Sequence, residues 1–318
     1  MRMINETNHE SELVRLGLDD DRSAGIVVVK STYDLGGGRA SLSRRQRRVL
    51  LKPETEEGVE LEPEGVIGKV GVDVVALGSA AGNGRTQTTA VTIRVGEWSS
   101  SALVFGDRHW ERSMLRWTAS DPLPFSEMPV AWTNAFGGTA RQDEVPMRHQ
   151  GNPDGKGYIL DLDDSVDGSP LPNVEDPAEL ITRPGQTVTP IGFAPLPVAS
   201  GLRVEAALDE SKVAGVSKAI YNIAPPRHRL AELHGGERCE LHGWVGMTGE
   251  AFDLPAESFV VEVHVADREY EYRPQIDTLC FVPSKQQLVV TRRATFTYQY
   301  VRNAPRVARL RQVGGNRR

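Results

Sequence analysis

His234, Cys239 and His242 fall within nine residues and offer the nitrogen and sulfur donors that zinc takes. On a strand, positions 239 and 242 lie an odd number apart and face opposite sides, and no fourth donor is evident. The trio therefore reads as a buried thiol beside two edge histidines. Asp163-x-Ser165-x-Asp167-Gly168 begins as a calcium loop does, with its turn glycine in sixth place. The twelfth place calls for a bidentate glutamate, but Val174 stands there and Glu175 comes one residue late. A solvated acidic loop, or a docking patch for a basic partner, accounts for the pattern. Residues 143–179 carry ten acids against Arg148 and Lys156. Paired carboxylates with displaced pKa values are the material of acid–base catalysis, yet no spacing singles out a converging pair. A Gly-x-Ser-x-Gly elbow and a phosphate-binding Gly-x4-Gly-Lys loop are both absent. His234-Gly235-Gly236, with no nucleophile to serve, is a glycine turn, and Gly36-Gly37-Gly38 has no helix after it. No metal or cofactor is expected.

Charge also limits the partners. The net charge is −6 over 318 residues, although 302–318 holds six arginines and no acid. An acidic body disfavours nucleic acid as the main partner. The Arg302–Arg318 tail reads as solvated or folded back on that body, and Arg44-Arg45-Gln46-Arg47-Arg48 is treated alike. No run approaches the ~18 apolar residues of a membrane span. Met1 to Asp21 is rich in Asn, Glu and Asp and lacks the apolar stretch of a secretion signal. Cys239 and Cys280 cannot build a disulfide framework, so a reducing, cytoplasmic setting is expected.

The elements that must position these residues are mostly strands. Thirty-one Gly and 20 Pro break the chain often. Residues 1–24 read as a polar, mobile lead-in, 25–301 as one β-rich domain, and 302–318 as the Arg-rich tail. The first strand is expected over Gly25 to Thr32, followed by a loop from Asp34 to Gln46. Val70 to Gly78 and Thr88 to Gly96 look like a hairpin turned by Gly82-Asn83-Gly84, with Ser101 to Gly106 as a third strand. Val213, Val216, Ile220 and Ile223 suggest an amphipathic helix over 209–223. Strands are expected again at Arg238–Trp244, Phe259–Ala266, Thr278–Val282 and Gln287–Tyr300, the last two forming a hairpin across Pro283 to Gln286. Between Gly106 and Pro197 turns recur so densely that ordinary connections do not explain them. The aromatics there, Trp110 and Phe136 among them, argue for a packed surface over disorder. The fold class is mainly β: antiparallel, sandwich-like sheets with a long ordered loop region and one or two short helices.

The order of motifs in that middle is distinctive. Val104-Phe105-Gly106-Asp107-Arg108-His109-Trp110 leads to Pro124–Pro129 and Ala135-Phe136-Gly137-Gly138. Asn152–Tyr158, with Lys156, and Leu171–Pro177, with Asn173 and Glu175, follow. Then come Gly192–Leu196, Asn222–Pro226 and Ile276-Asp277-Thr278-Leu279-Cys280, with Arg292-Arg293-Ala294 behind. This series, over about residues 70–300, resembles the domain-of-unknown-function 2169 family of type VI secretion accessory proteins. The resemblance implies a non-enzymatic adaptor or chaperone that loads an effector, or its PAAR-repeat or spike-tip carrier, for export. The stretch between Pro197 and Tyr221 is shorter than in the family, which puts partner choice in question.

The same motifs have a physical account. Glycine permits backbone shapes closed to other residues. Proline and Asn remove freedom from turns before any partner arrives. A frozen surface binds with little ordering cost. Arg108, Trp110, Phe136, Lys156, Asn173 and Glu175 are the candidate partner-binding residues, as contacts or as the scaffold beneath them. An enzyme using the acidic window, hydrolase or metal-dependent, and a structural component of a secretion or phage-like particle stand as alternatives.

Overall fold

A computed structural model describes residues 1–19, 22–114, 116–210, 217–247, 249–299 and 305–314. Two long strands, Arg22–Gly36 and Gln287–Gln299, set its frame. They pair antiparallel throughout, Arg22 opposite Gln299 and Gln287 opposite Asp34. The β-branched run Ile26-Val27-Val28-Val29 suits a strand that is covered on both faces. Around this pair a seven-stranded sheet runs in the order Arg229–Leu230, Val72–Ala76, Gln275–Val282, the two long strands, and Glu10–Gly17, with Arg39–Leu42 beside Arg22–Gly36. The hairpin across Pro283–Gln286 forms as expected; a 3-10 turn there ends in left-handed Gln286.

Side-chain alternation splits the duties of the long strands. Val27, Val29, Tyr33 and Leu35 face one way, as do Leu288, Val290, Ala294, Phe296 and Tyr298. Two smaller sheets share this face. A five-stranded sheet, centred on Thr88–Val95, packs Val91, Ile93, Ala102, Leu241 and Phe252 against the Tyr33 and Leu288 end. A four-stranded sheet of Arg2–Asn5, Arg306–Val313, Ser258–Val265 and Arg268–Tyr272 packs Phe259, Val261 and Leu310 against Val27, Val29 and Phe296. Where the two cores meet sits a buried arginine, Arg292. Its guanidinium lies 5.3 Å from the Phe259 ring centre and donates to Ser31 Oγ at 3.3 Å and Pro255 O at 3.4 Å.

Several sequence expectations are corrected. The stretch taken as a mobile lead-in is largely strand: Arg2–Asn5 pairs in parallel with Arg306–Val313, and Glu10–Gly17 pairs with the first long strand. Arg2–Asn5 packs inward through Met3, and Glu10–Gly17 through Leu13 on one face and Val14 on the other; the remaining positions are mostly polar, so the sequences look like tails. The arginine tail likewise contributes a strand, with Ala308 and Leu310 in the core, Arg309 paired to Glu6 at 3.4 Å and Arg311 paired to Glu262. Arg302, Arg317 and Arg318 lie outside the described residues. Within the expected loop Asp34–Gln46, Arg39–Leu42 is a strand. Val72–Ala76 and Thr88–Val95 are not a hairpin but belong to different sheets; Thr88–Val95 turns instead into Trp98–Phe105. Gly82 serves close approach: a Cβ there would come 2.3 Å from Phe125 O of the neighbouring strand. The helix runs over Gly201–Glu210, earlier than expected. Residues 211–216 lie outside the described residues, and Lys218–Tyr221 is a 3-10 turn capped by Ser217. Among the described residues no helix is long and apolar enough to cross a membrane.

His228 closes one side of the first core. It stacks on Phe193 at 4.8 Å and shares a 2.8 Å hydrogen bond between Nε2 and Ser100 Oγ. Burial pushes its pKa down to about 3, and moves His9 and His149 in the same direction. The unfolded chain takes up these protons near pH 6.5, whereas the folded chain resists them. Their contribution to stability is therefore complete above pH 6.5 and is lost as pH falls through each lowered folded value, for His228 toward 3. For His228 alone, stability at pH 5 should lie about 2 kcal/mol below its value at pH 7.5. His228→Gln should remove that share of the loss, which urea unfolding at the two pH values measures.

Candidate functional site

Six residues from distant motifs meet in the loop region. Val174–Glu175 joins the five-stranded sheet beside Leu103 and Val104, which carries Glu175 to Arg108. The Arg108 guanidinium lies 3.7 Å from the Phe105 ring centre, donates to Pro172 O at 2.8 Å and pairs with Glu175. The other Glu175 oxygen accepts from Ile181 N at 2.8 Å. Asn173 Nδ2 donates to Phe105 O and Asp107 Oδ1, both at 3.1 Å, and its Oδ1 accepts from Lys156 Nζ at 2.6 Å. Burial pushes the Lys156 ammonium below the usual lysine range, against the pull of Asp107. Phe136–Gly137 pairs in parallel with Lys156–Gly157. Phe136 and Trp110 then pack with Val166, Leu171, Ile181 and Val188 into a satellite core. Gly137 and Gly138 hold positive φ angles of 144° and 95°; Cβ atoms on them would lie 2.1 and 2.4 Å from Asn152 O and Gly155 O. The loop region is ordered because these bonds leave it little else to do.

The structure gathers all six candidate residues and encloses five of them. Arg108 is 9% exposed, and Trp110, Phe136, Asn173 and Glu175 are 3% or less. Side chains so enclosed cannot meet a second protein. They form the scaffold under the loop surface, and Lys156 alone is half-buried.

The other candidate centres do not gather. Cys239 is buried in the sandwich core, where desolvation pushes its thiol up to about 12, while His234 and His242 are exposed beside Glu232 and Glu240. Asp163 accepts from the Ser165 hydroxyl and amide, which hold its carboxyl below the usual range. Among the described residues no group of three His, Cys, Asp or Glu side chains is arranged to hold a metal ion.

A recess lies on the other face of the seven-stranded sheet. It is a cleft of about 700 Å³. Its floor is the reverse side of the long strands and their neighbours: Val75, Thr278, Cys280, Val289, Thr291 and Arg293. Its roof is the segment 45–66, including a small hairpin of Glu54–Glu56 and Val59–Leu61. Arg203 fixes the helix to that roof by pairing with Glu62. Floor charges are neutralised locally. Arg293 Nε bonds Asp277 Oδ2 at 2.6 Å, Lys30 bonds Glu64 at 2.9 Å, and Lys69 bonds Asp73 at 2.8 Å. Burial pushes the Cys280 thiol up to about 12, outweighing Arg47 and Lys30, so it stays protonated and is a poor nucleophile at neutral pH. At the roof, burial pushes the Glu56 carboxyl up, but hydrogen bonds from Lys285 and Arg47 overcome this and hold it below the usual range. Four motif segments reach this cleft, through Thr278 and Cys280, Arg293, Ile223 and Pro195. These motifs carry no site assignment from sequence; the signal for one is that Thr278, Cys280 and Arg293 alternate with core residues along their strands.

Fold and cleft together define a β-sandwich protein whose central sheet carries its cores on one face and a roofed, polar recess on the other. The chain belongs to the family described as an uncharacterized protein conserved in bacteria (DUF2169), whose family model matches residues 20–293. No curated protein and no solved structure matches it.

The Arg108–Glu175 pair yields a stability test. Glu175→Gln leaves the guanidinium charge enclosed without its counter-charge and should cost about 3–5 kcal/mol. Arg108→Met with Glu175→Leu should recover much of that loss. Urea midpoints of the wild type, the single variant and the double variant measure both effects.

Proposed function

We propose that this chain is a non-enzymatic adaptor or chaperone, acting in the bacterial cytoplasm, that binds a type VI secretion effector or its PAAR or spike-tip carrier and helps load it for export. The observation that carries this reading is the build of residues 106–197. Five motif side chains are spent inside it, holding loops rigid through backbone carbonyls and an internal ion pair. That arrangement supports recognition of a partner's shape. A surface already ordered binds without the roughly 0.5–1.5 kcal/mol that each mobile side chain otherwise costs.

The test is affinity capture of the tagged, full-length chain from its own host, followed by mass spectrometry. Enrichment of a spike-tip or PAAR protein together with an effector is the expected result. A folded, abundant bait that returns neither overturns the reading.

A further inference from the structure

We infer that the cleft beneath residues 45–66 binds an extended peptide segment that alternates carboxylate and apolar side chains. This deepens the adaptor reading and rests on it for the source of the segment, a partner protein.

The recess has the size of a ligand site, since such sites run about 300–1,000 Å³. Its charge is opposite to that of the molecule around it. Seven cationic side chains and four carboxylates line it, within a chain of net charge −6. The surplus gathers at one place. Arg47 and Lys285 both bond the single carboxylate of Glu56. Arg45 lines the same cleft, is exposed and makes no ion pair among the described residues. An anionic ligand meets uncompensated charge there, whereas the floor cations already have partners.

The roof shows the form of ligand these cations accept. Glu54 and Glu56 lie two residues apart on one strand and so share a face. Arg48 takes the first, and Arg47 with Lys285 takes the second. The cations are thus spaced to read acids at alternate positions of an extended chain. Half-buried Leu61, Val66, Tyr221 and Ile223 line the same cleft and present apolar surface to the side chains that point the other way. The two-stranded roof pairs with no third strand among the described residues, so backbone donors and acceptors along its edges are available to a guest strand. A metabolite would use the charge but neither the alternation nor the edge.

The probe is a fluorescein-labelled decapeptide of alternating Glu and Val, with a Lys and Val decapeptide and free glutamate as controls. Fluorescence anisotropy on the full chain should show saturable binding of the acidic peptide that weakens as salt rises. The basic peptide should not bind, and millimolar glutamate should not compete. Arg45→Glu with Lys285→Gln should weaken binding at least tenfold at an unchanged melting temperature. Should that variant melt early, Arg45→Glu alone, which breaks no side-chain bond among the described residues, should still weaken binding several-fold. Absence of saturable binding, equal binding of the basic peptide, competition by glutamate, or undiminished binding by a folded variant each overturns the inference. The two proposals fail separately. A folded cleft variant that still captures effector and spike tip leaves the adaptor standing and removes the cleft from it. A wild type that binds the peptide but captures neither protein does the reverse.

Discussion

The antiparallel pairing of Arg22–Gly36 with Gln287–Gln299 is the constraint on which everything else depends. It joins the two ends of the chain, and its length lets a single sheet face seat two separate cores side by side. The opposite face, released from core duty along part of its width, becomes the floor of a recess. Shift the register by one residue and every side chain changes face. Val289, Thr291 and Arg293 would turn inward, and the apolar residues of two cores would face the cleft.

The neighbours Arg292 and Arg293 show how much this alternation separates. One guanidinium lies between the cores, against Phe259 and a backbone carbonyl; the next, on the reverse face, is held by Asp277 and the carbonyl of Val66. A charge is costly to enclose unless it is paired and hydrogen-bonded, and removing its partner is costlier than never having buried it. The loop region applies the same rule through Arg108 and Glu175. Charged motif residues such as Arg108, Glu175 and Arg293 therefore act as fasteners, each held by an internal counter-charge.

Much of the fold was legible in the sequence, for identifiable reasons. Strands rich in β-branched residues, such as Ile26–Val29 and the run from Gln287, declare themselves, and so does the turn at Pro283–Gln286. The ordered character of residues 106–197 followed from aromatics among the turns. Other features were hidden by ambiguity in the code itself. Gly82 permits close approach of a neighbouring strand, yet glycine in that setting also signals a turn. The strands Arg2–Asn5 and Arg306–Val313 bury one side only, so their polar halves resemble tails. Arg108 and Glu175 stood among the candidate partner contacts, but an arginine paired inside a protein is spelled like one on its surface. The cleft was least legible because Arg47 meets Gln287 across 240 positions. No local window contains both.

The long-strand pairing also shapes how the molecule comes into being. On the ribosome, Arg22–Gly36 emerges roughly 250 residues before the strand that must lie against it. At about 5–20 residues per second, this apolar ribbon waits on the order of ten to fifty seconds for its mate. Through that interval it is an unpaired edge of the kind that recruits other nascent chains. Slower translation lengthens that exposure, and sheltering of the growing polypeptide shortens its consequences.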